Sequence, residues 1–263
     1  MLTLDRWVGP LRDHLVFFAD GAGVAELARA CRPYDLYRIR HALDVPGSQP
    51  AVRLRESVTS VIALGQEQDS ILGGMDAKSC RYEVRRAEKL GDRLALRRND
   101  RDARQDFRRL LAGLIEHTHH VRPPSRRRYA QYGAVSDVVV AYVDGAPVAG
   151  HLVVRDPAAG RARLVFSASV RHEPGPLRAL SGPVNRWLHW QELLFYREEG
   201  YRAYDFGGVN PQSSIGRFKL SFGGELERGT NVVLAGALAV GPLALLDAAG
   251  RTSRGLRRGR ASS

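Results

Sequence analysis

The stretch that decides the fold is "DVVVAYVDGAPVAGHLVV", residues 137–154. Two alternating apolar runs flank Asp144-Gly145. A two-residue connection of this kind predicts a tight β-hairpin, because the turn requires positive φ and glycine supplies it without a Cβ clash. "RARLVFSAS" (161–169) follows within a few residues and reads as a third strand. A loop from Val170 to Ser181, broken by Pro174, Gly175 and Pro176, leads to a helix over Ser181–Glu199. Ser181 is placed to cap it, Pro183 is tolerated in its first turn, and Gly200 ends it. Val184, Trp187, Leu188, Leu194 and Phe195 make its expected core face, with Asn185, His189, Glu192 and Tyr196 as a polar stripe beside it. "YRAYDF" (201–206) is the next strand, and a glycine-rich loop follows. This order predicts an α/β protein, a mixed sheet flanked by helices.

That loop belongs to "YDFGGVNPQSSIGRFKLSFGGE" (204–225), where chemistry is expected. Lys219 is one of three lysines, with Lys78 and Lys89, among 40 Lys and Arg residues. An ammonium is a compact point charge on a slim stem, whereas a guanidinium is a broad planar fork. A lysine in so arginine-rich a chain therefore marks a place where the slim group is wanted. The alternative is a lysine that closes a strand end.

Upstream, "YDLYRIRHALDV" (34–45) and "SVTSVIAL" (57–64) read as strands, and Val24–Cys31 as an amphipathic stretch. A helix is expected over Ser70–Leu90, stopped by Gly91. Lys78, Arg81, Arg85 and Lys89 fall on one stripe of it, and Ala77, Cys80, Val84 and Ala87 on the opposite one. The cationic stripe either grips phosphate or is simply solvated. A second helix is expected over Asp102–His117. In "HTHHVRPPSRRRY" (117–129), the three histidines lack a carboxylate or cysteine at a ligand spacing and read as a fraying helix end, so no metal site is expected. "VVLAGALAVGPLALL" (232–246) is too short for a membrane span and reads as a last strand plus a packed helix.

The net charge is +12 and unevenly spread. Residues 81–128 hold 15 basic and 7 acidic side chains, and residues 251–263 hold five arginines and no acid. A field so concentrated favours a polyanionic partner, and a solvated basic face is the alternative. Cys31 and Cys80 form no CxxC pair and read as reduced thiols. The first residues lack the basic start and apolar core of a signal peptide, so a cytoplasmic protein is expected. The basic tail also suits peripheral contact with a membrane surface. Oligomeric state is not readable.

Taken together, Asp137–Glu225 resembles the transferase half of the Fem-type enzymes of the GNAT superfamily. The resemblance rests on the Asp-Gly hairpin, "RLVFSAS", "NRWLHWQELLFYREEGYRAYDFGG" and "GRFKLSFGGE". "CRYEVRRAEKLG" (80–91) resembles the basic helix that precedes this half. About two thirds of the chain is covered. The resemblance implies a reduced N-terminal GNAT-like half over 1–100 and a GNAT-like transferase half over 101–248, and the composition of 249–263 reads as a basic, disordered tail. Three features depart from the pattern, the first being that no long heptad stretch supplies the helical coiled-coil arm of some members. The first half is short, and the Arg/Gln-x-x-Gly-x-Gly/Ala signature that presents backbone N–H groups to the pyrophosphate of acetyl-CoA is absent. In "RHEPGPL" (171–177) the Arg and Gly stand one residue too far apart.

The activity implied is attack of an amine on the ester of aminoacyl-tRNA, a co-substrate, with no bound cofactor. The acceptor would be the amine of a sugar, peptide or small metabolite, with a phosphate- or nucleotide-linked acceptor among the expectations. By resemblance Phe218 packs at the donor's terminal adenosine, and Lys219 faces the carbonyl or an adjacent phosphate. His189 and Asp205 are candidates for proton transfer, but His189 also suits a structural role and Asp205 a role in holding the glycine loop. Asn185, Arg186, Gly207, Gly208 and Arg217 are placed with the donor, and Glu225 would orient Lys219 or Arg217. Arg81, Arg85 and Arg86 are candidates for phosphates of donor or acceptor. Acyl-CoA-dependent N-acyl transfer and a non-catalytic RNA-binding module are the competing expectations.

Overall fold

A computed structural model describes residues 1–45, 53–117, 126–133 and 135–241. His119, His120, residues 242–246 and the tail 249–263 lie outside the described residues. The chain divides into two compact units, 1–56 with 229–263, and 57–228. Residues 57–100, assigned from sequence to the N-terminal half, lie in the second unit.

In the first unit, β1 (Leu2–Val8) and β2 (Leu11–Phe17) form a hairpin turning at Gly9. Helix α1 (Gly21–Ala30) then crosses to β3 (Asp35–Ala42), which lies parallel to β2. Asp20 caps α1 by accepting from Gly23 N at 2.8 Å. Residues 230–235 of β10 (Glu225–Ala235) pair antiparallel with β3. Val24 and Leu27 of α1 pack on Val16, Ile39, Val232 and Leu234, so one helix covers one sheet face.

The second unit carries β4 (Arg53–Ala63), β5 (Leu94–Arg98), β6 (Ser136–Val143), β7 (Ala146–Asp156), β8 (Arg161–Ser169) and β9 (Ala203–Gly208). Their order is β4-β9-β8-β7-β6-β5, with β8 and β9 parallel and the other pairs antiparallel. The hairpin is as expected. Asp144 (φ 51°) and Gly145 (φ 76°) are both left-handed, the geometry a two-residue hairpin turn needs. Its helices are α2 (Gln68–Gly74), α3 (Tyr82–Glu88), α4 (Arg101–His117), α5 (Arg126–Tyr132), α6 (Ser181–Glu198) and α7 (Ser214–Leu220). Neighbouring residues of β7 show how they are layered. A Cβ on Gly150 would meet Phe107 and Leu110 of α4, whereas His151 bonds Asn185 and Glu192 of α6. Successive strand residues face opposite ways, so α4 and α6 cover opposite faces. With both faces covered, every residue of β6 is buried.

Three local expectations are corrected. The helix expected over 70–90 is broken at Met75–Asp76, and Ala77–Arg81 forms a π-helical turn before α3. Asp76 causes the break by accepting from both the N and the Oγ of Ser79. The extra residue of a π turn shifts the phase, so Lys78 and Ala77 leave their stripes and Ala77 is exposed. Ser181 does not cap α6. A 3₁₀ turn over Pro176–Leu180 leads into it, and Ser181 Oγ donates to Arg178 O at 2.8 Å. Finally, the segment expected as a glycine-flanked loop holds α7. Ser213 caps it by accepting from Gly216 N at 2.9 Å.

Candidate active site

The polar stripe of α6 points inward. His189, Glu192 and Tyr196 are buried, while Trp187, Leu194 and Phe195 of the expected core face are only partly so. The reason lies on the facing strands, which supply polar partners. His151 Nδ1 meets Glu192 Oε1 at 3.0 Å, and its Nε2 meets Asn185 Oδ1 at 2.9 Å. Tyr204 OH donates to Glu192 Oε2 at 2.6 Å. Tyr196 OH donates to Asp137 Oδ2 at 2.8 Å. His151 thus meets a polar atom of α6 at each ring nitrogen and lies directly against the buried carboxylate of Glu192. Burial alone would raise the Glu192 carboxyl, but the charge and hydrogen bond of His151 outweigh it and hold the group well below the usual carboxylate range.

His189 stacks on His151 with centroids 4.0 Å apart and is enclosed by Phe206, Phe218 and Phe222. Burial, aided by the His151 charge, pushes it down to about 3, so the ring is neutral near pH 7. Its Nδ1 lies 3.5 Å from Glu192 Oε2, at the limit of a hydrogen bond, and among the described residues its Nε2 has no hydrogen-bond partner. Ligand atoms of His151, His189 and Glu192 lie within 4.8 Å of one another. Two features oppose a metal there. Both nitrogens of His151 already face oxygen, and the rings are stacked, so an ion in the plane of one would lie off the plane of the other.

At the end of β9 the elements meet differently. The parallel pairing of β8 with β9 runs from Arg161↔Ala203 to Arg163↔Asp205. Asp205 is buried and holds Arg163 Nη1 at 2.8 Å. Its other oxygen accepts from Gly207 N at 2.6 Å, which fixes the turn where Gly207 takes φ 73°. Lys219, in the last turn of α7, reaches back and donates from Nζ to Gly208 O at 2.8 Å. Its ammonium is half-buried, and burial lowers it from 10.5 to about 8 against the raising effect of Asp205, with Arg163 adding to the fall.

Phe218 precedes it, and the Arg186 guanidinium lies 4.7 Å from that ring's centroid. Arg186 Nε is buried and has no hydrogen-bond partner among the described residues. The junction between α2 and the π turn packs on the far end of α7, since Asp76 N donates to Ser221 O at 2.8 Å. Lys219, Phe218, Arg186, Gly207, Gly208 and Asp205 thus form one group, with His189 beneath Phe218. Asn185 belongs to the buried network instead. Arg217 and Glu225 are exposed. Arg81 closes the π turn, Arg85 and Arg86 stand on α3, whose Val84 and Ala87 are buried, and Arg86 pairs with Glu83 at 3.6 Å. Among the described residues no hydrogen bond or ion pair joins them to Lys219. His151 and Arg163 are the participants not singled out from sequence. Each is a polar residue inside an apolar alternation, which is the signal that marks them.

The family model described as acetyltransferase (GNAT) domain matches residues 77–219, from the π turn to this lysine. The chain belongs to the GNAT family. No curated protein sequence matches this GNAT chain significantly. Among solved structures, FemX aligns with TM-score 0.62 and 14% identity over 93% of this chain and 85% of its own. The C-terminal DUF2156 domain of a candidate lysylphosphatidylglycerol synthetase from Agrobacterium fabrum aligns with TM-score 0.55 and 15% identity, covering 94% and 84%. L-PGS from Bacillus licheniformis aligns with TM-score 0.50 and 12% identity, covering 93% and 83%. At such identities the likeness is one of fold. This GNAT chain is an acyltransferase by family, and among the described residues no helix is long and apolar enough to cross a membrane.

Proposed function

We propose that this acyltransferase forms an amide by moving an aminoacyl group from aminoacyl-tRNA to the amine of a sugar, peptide or small metabolite. The amine nitrogen attacks the ester carbonyl carbon, an oxyanion forms, the C–O bond to ribose breaks, and the amine proton ends on the ribose oxygen. The observation that carries this reading is the placement of Lys219, a half-buried ammonium anchored at the end of β9 and flanked by Phe218. There it stabilises the oxyanion or an adjacent phosphate, while Phe218 and Arg186 receive the terminal base. Asp205 is a positioning residue, since both its oxygens are engaged by Arg163 and Gly207. Buried His189 supports Phe218 from below, and the proton travels by water or substrate oxygen. Exposed Arg85 and Arg86, with half-buried Arg81, supply a basic face for phosphates. The fold shared with FemX and the +8 segment over 81–128 agree with a nucleic-acid donor.

The family description favours acyl-CoA as the second reading. Purified enzyme given charged tRNA or acyl-CoA with a panel of amines, read by mass spectrometry, separates them. The expected product forms only with charged tRNA and is lost on RNase treatment. Lys219→Ala is expected to lower its rate by about 10²–10³-fold, the typical effect of losing one oxyanion donor, and Lys219→Arg does not restore it. Product from acyl-CoA alone reassigns the donor, and no product from either overturns the reading.

A further inference from the structure

The first unit carries a surface that the transferase chemistry does not use. One end of its sheet gathers the close of β1, the start of β2, the start of β3 and the close of β10. Four large apolar side chains stand exposed there, Trp7 at 60%, Tyr34 at 48%, Leu238 at 52% and Val240 at 44%. The first two and Leu238 are linked through the backbone and one side chain, and Val240 follows Leu238 by two residues. The Arg12 guanidinium lies over the Trp7 ring at 5.6 Å, Arg12 N donates to Tyr34 O at 3.0 Å, and Leu238 N donates to Pro33 O at 2.9 Å. An exposed group this apolar needs a partner or a reason.

Charge identifies the partner. Arg12 and the exposed Arg32 lie among these side chains, whereas Asp13 and Asp35 are buried, Asp13 being held by Arg6 and Arg38 and Asp35 lying 3.8 Å from Arg12, and the one exposed carboxylate of the neighbouring strand, Asp5, is paired with His14 at 2.6 Å. The face shown to solvent is therefore apolar, and its exposed carboxylate, Asp5, is already engaged by His14 while the Arg32 side chain is exposed. Beyond Gly241 the last 13 residues add five arginines and no acid. Trp and Tyr prefer the boundary between headgroups and acyl chains, and each cation near an anionic leaflet adds attraction. Leu238 and Val240 argue against nucleic acid, which takes up aromatic rings by stacking and has no use for aliphatic side chains.

We propose that this end of the first unit docks on an anionic lipid bilayer, with Trp7 and Tyr34 at headgroup depth and the arginines among the phosphates. The proposal is independent of the donor assignment, because vesicle binding requires neither donor nor acceptor. The full-length protein is mixed with vesicles of phosphatidylglycerol or of phosphatidylcholine and sedimented, and tryptophan emission is recorded. Binding to phosphatidylglycerol is expected, with a blue shift that Trp7→Phe removes. The surface variant Trp7→Ser/Tyr34→Ser/Leu238→Ser, checked for an unchanged thermal melt, is expected to bind at least about tenfold more weakly, given the apolar area removed. Absence of binding to phosphatidylglycerol overturns the proposal. So does undiminished binding by the triple variant, which would leave the arginine tail alone responsible. Binding displaced by RNA without a blue shift assigns the surface to nucleic acid. A dimer in the lipid-free protein that the triple variant dissociates, with vesicle binding untouched, assigns it to a second copy of the chain.

Discussion

Lys219 lies where a positive charge is poorly solvated, and burial is the largest cause of its fall to about 8. The ammonium is retained near pH 7 because Asp205 lies close behind it. A group whose folded pKa lies below its unfolded one destabilises the fold while charged. Between about 8 and the unfolded 10.5 the unfolded chain holds more protons, so stability rises with pH through that window. Lys219→Met is therefore expected to raise the melting temperature at pH 7 while abolishing turnover, with the gain shrinking as the buffer passes pH 8. The titration itself is accessible because the chain has only three lysines. With lysine labelled at Cε, one of three NMR resonances is expected to move with a midpoint near pH 8 and to be missing from Lys219→Arg. A spectrum in which the missing resonance titrates near 10.5 would remove the desolvated ammonium and its consequences for the mechanism.

The elements that carry this lysine were unevenly legible. The hairpin, β8 and α4 follow from alternation, from Asp144-Gly145 and from helical spacing, since local chemistry alone fixes them. The fate of the polar stripe on α6 was not legible, because Glu192 is tolerable inside only if His151, 41 residues away, is there to meet it. Helix α7 was hidden for the same reason. "SIGRFKL" has seven residues, too few to be helical alone, and is held by Ser213 at one end and by the α2 junction at the other. Gly223 marks that second contact. Its φ is 80°, and a Cβ there would stand 2.3 Å from Gly74 O. Gly223→Ala must displace backbone on one side or the other, so we expect a loss of at least ~2 kcal/mol in urea unfolding from the strained φ and the clash together. Activity should fall beyond the unfolded fraction, because α7 aims Lys219. Full activity in the folded Gly223→Ala protein would show that the lysine's aim does not depend on this contact.

At the scale of the molecule, acid stability follows from what the second unit has buried. Glu192 is ionised inside the core with His151 as its counter-charge, and removing either partner strands the other, a loss typically of about 3–5 kcal/mol. His189 adds a second dependence of the same sign. It stays neutral down to about 3 in the folded protein, whereas the unfolded chain takes up a proton near 6.5. Between these values the unfolded state binds more protons, so stability falls as pH falls, by about 1.4 kcal/mol for each unit below 6.5. Phenylalanine keeps the ring between His151 and the cluster of Phe206, Phe218 and Phe222, but has no proton to take up. His189→Phe is therefore expected to flatten the decline in urea midpoint between pH 6.5 and 4 while leaving the midpoint at pH 7.5 within the range of a volume-conserving core change. The remaining slope belongs to the carboxylates, Glu192 among them, whose stabilisation is present above the usual carboxylate range and lost on descending through it. Equal slopes in the wild type and His189→Phe would mean that His189 gains a proton in the folded state well above 3. It would then be reachable by solvent, and its assignment as an enclosed support for Phe218 would give way to the proton-transfer role that its position on α6 first suggested.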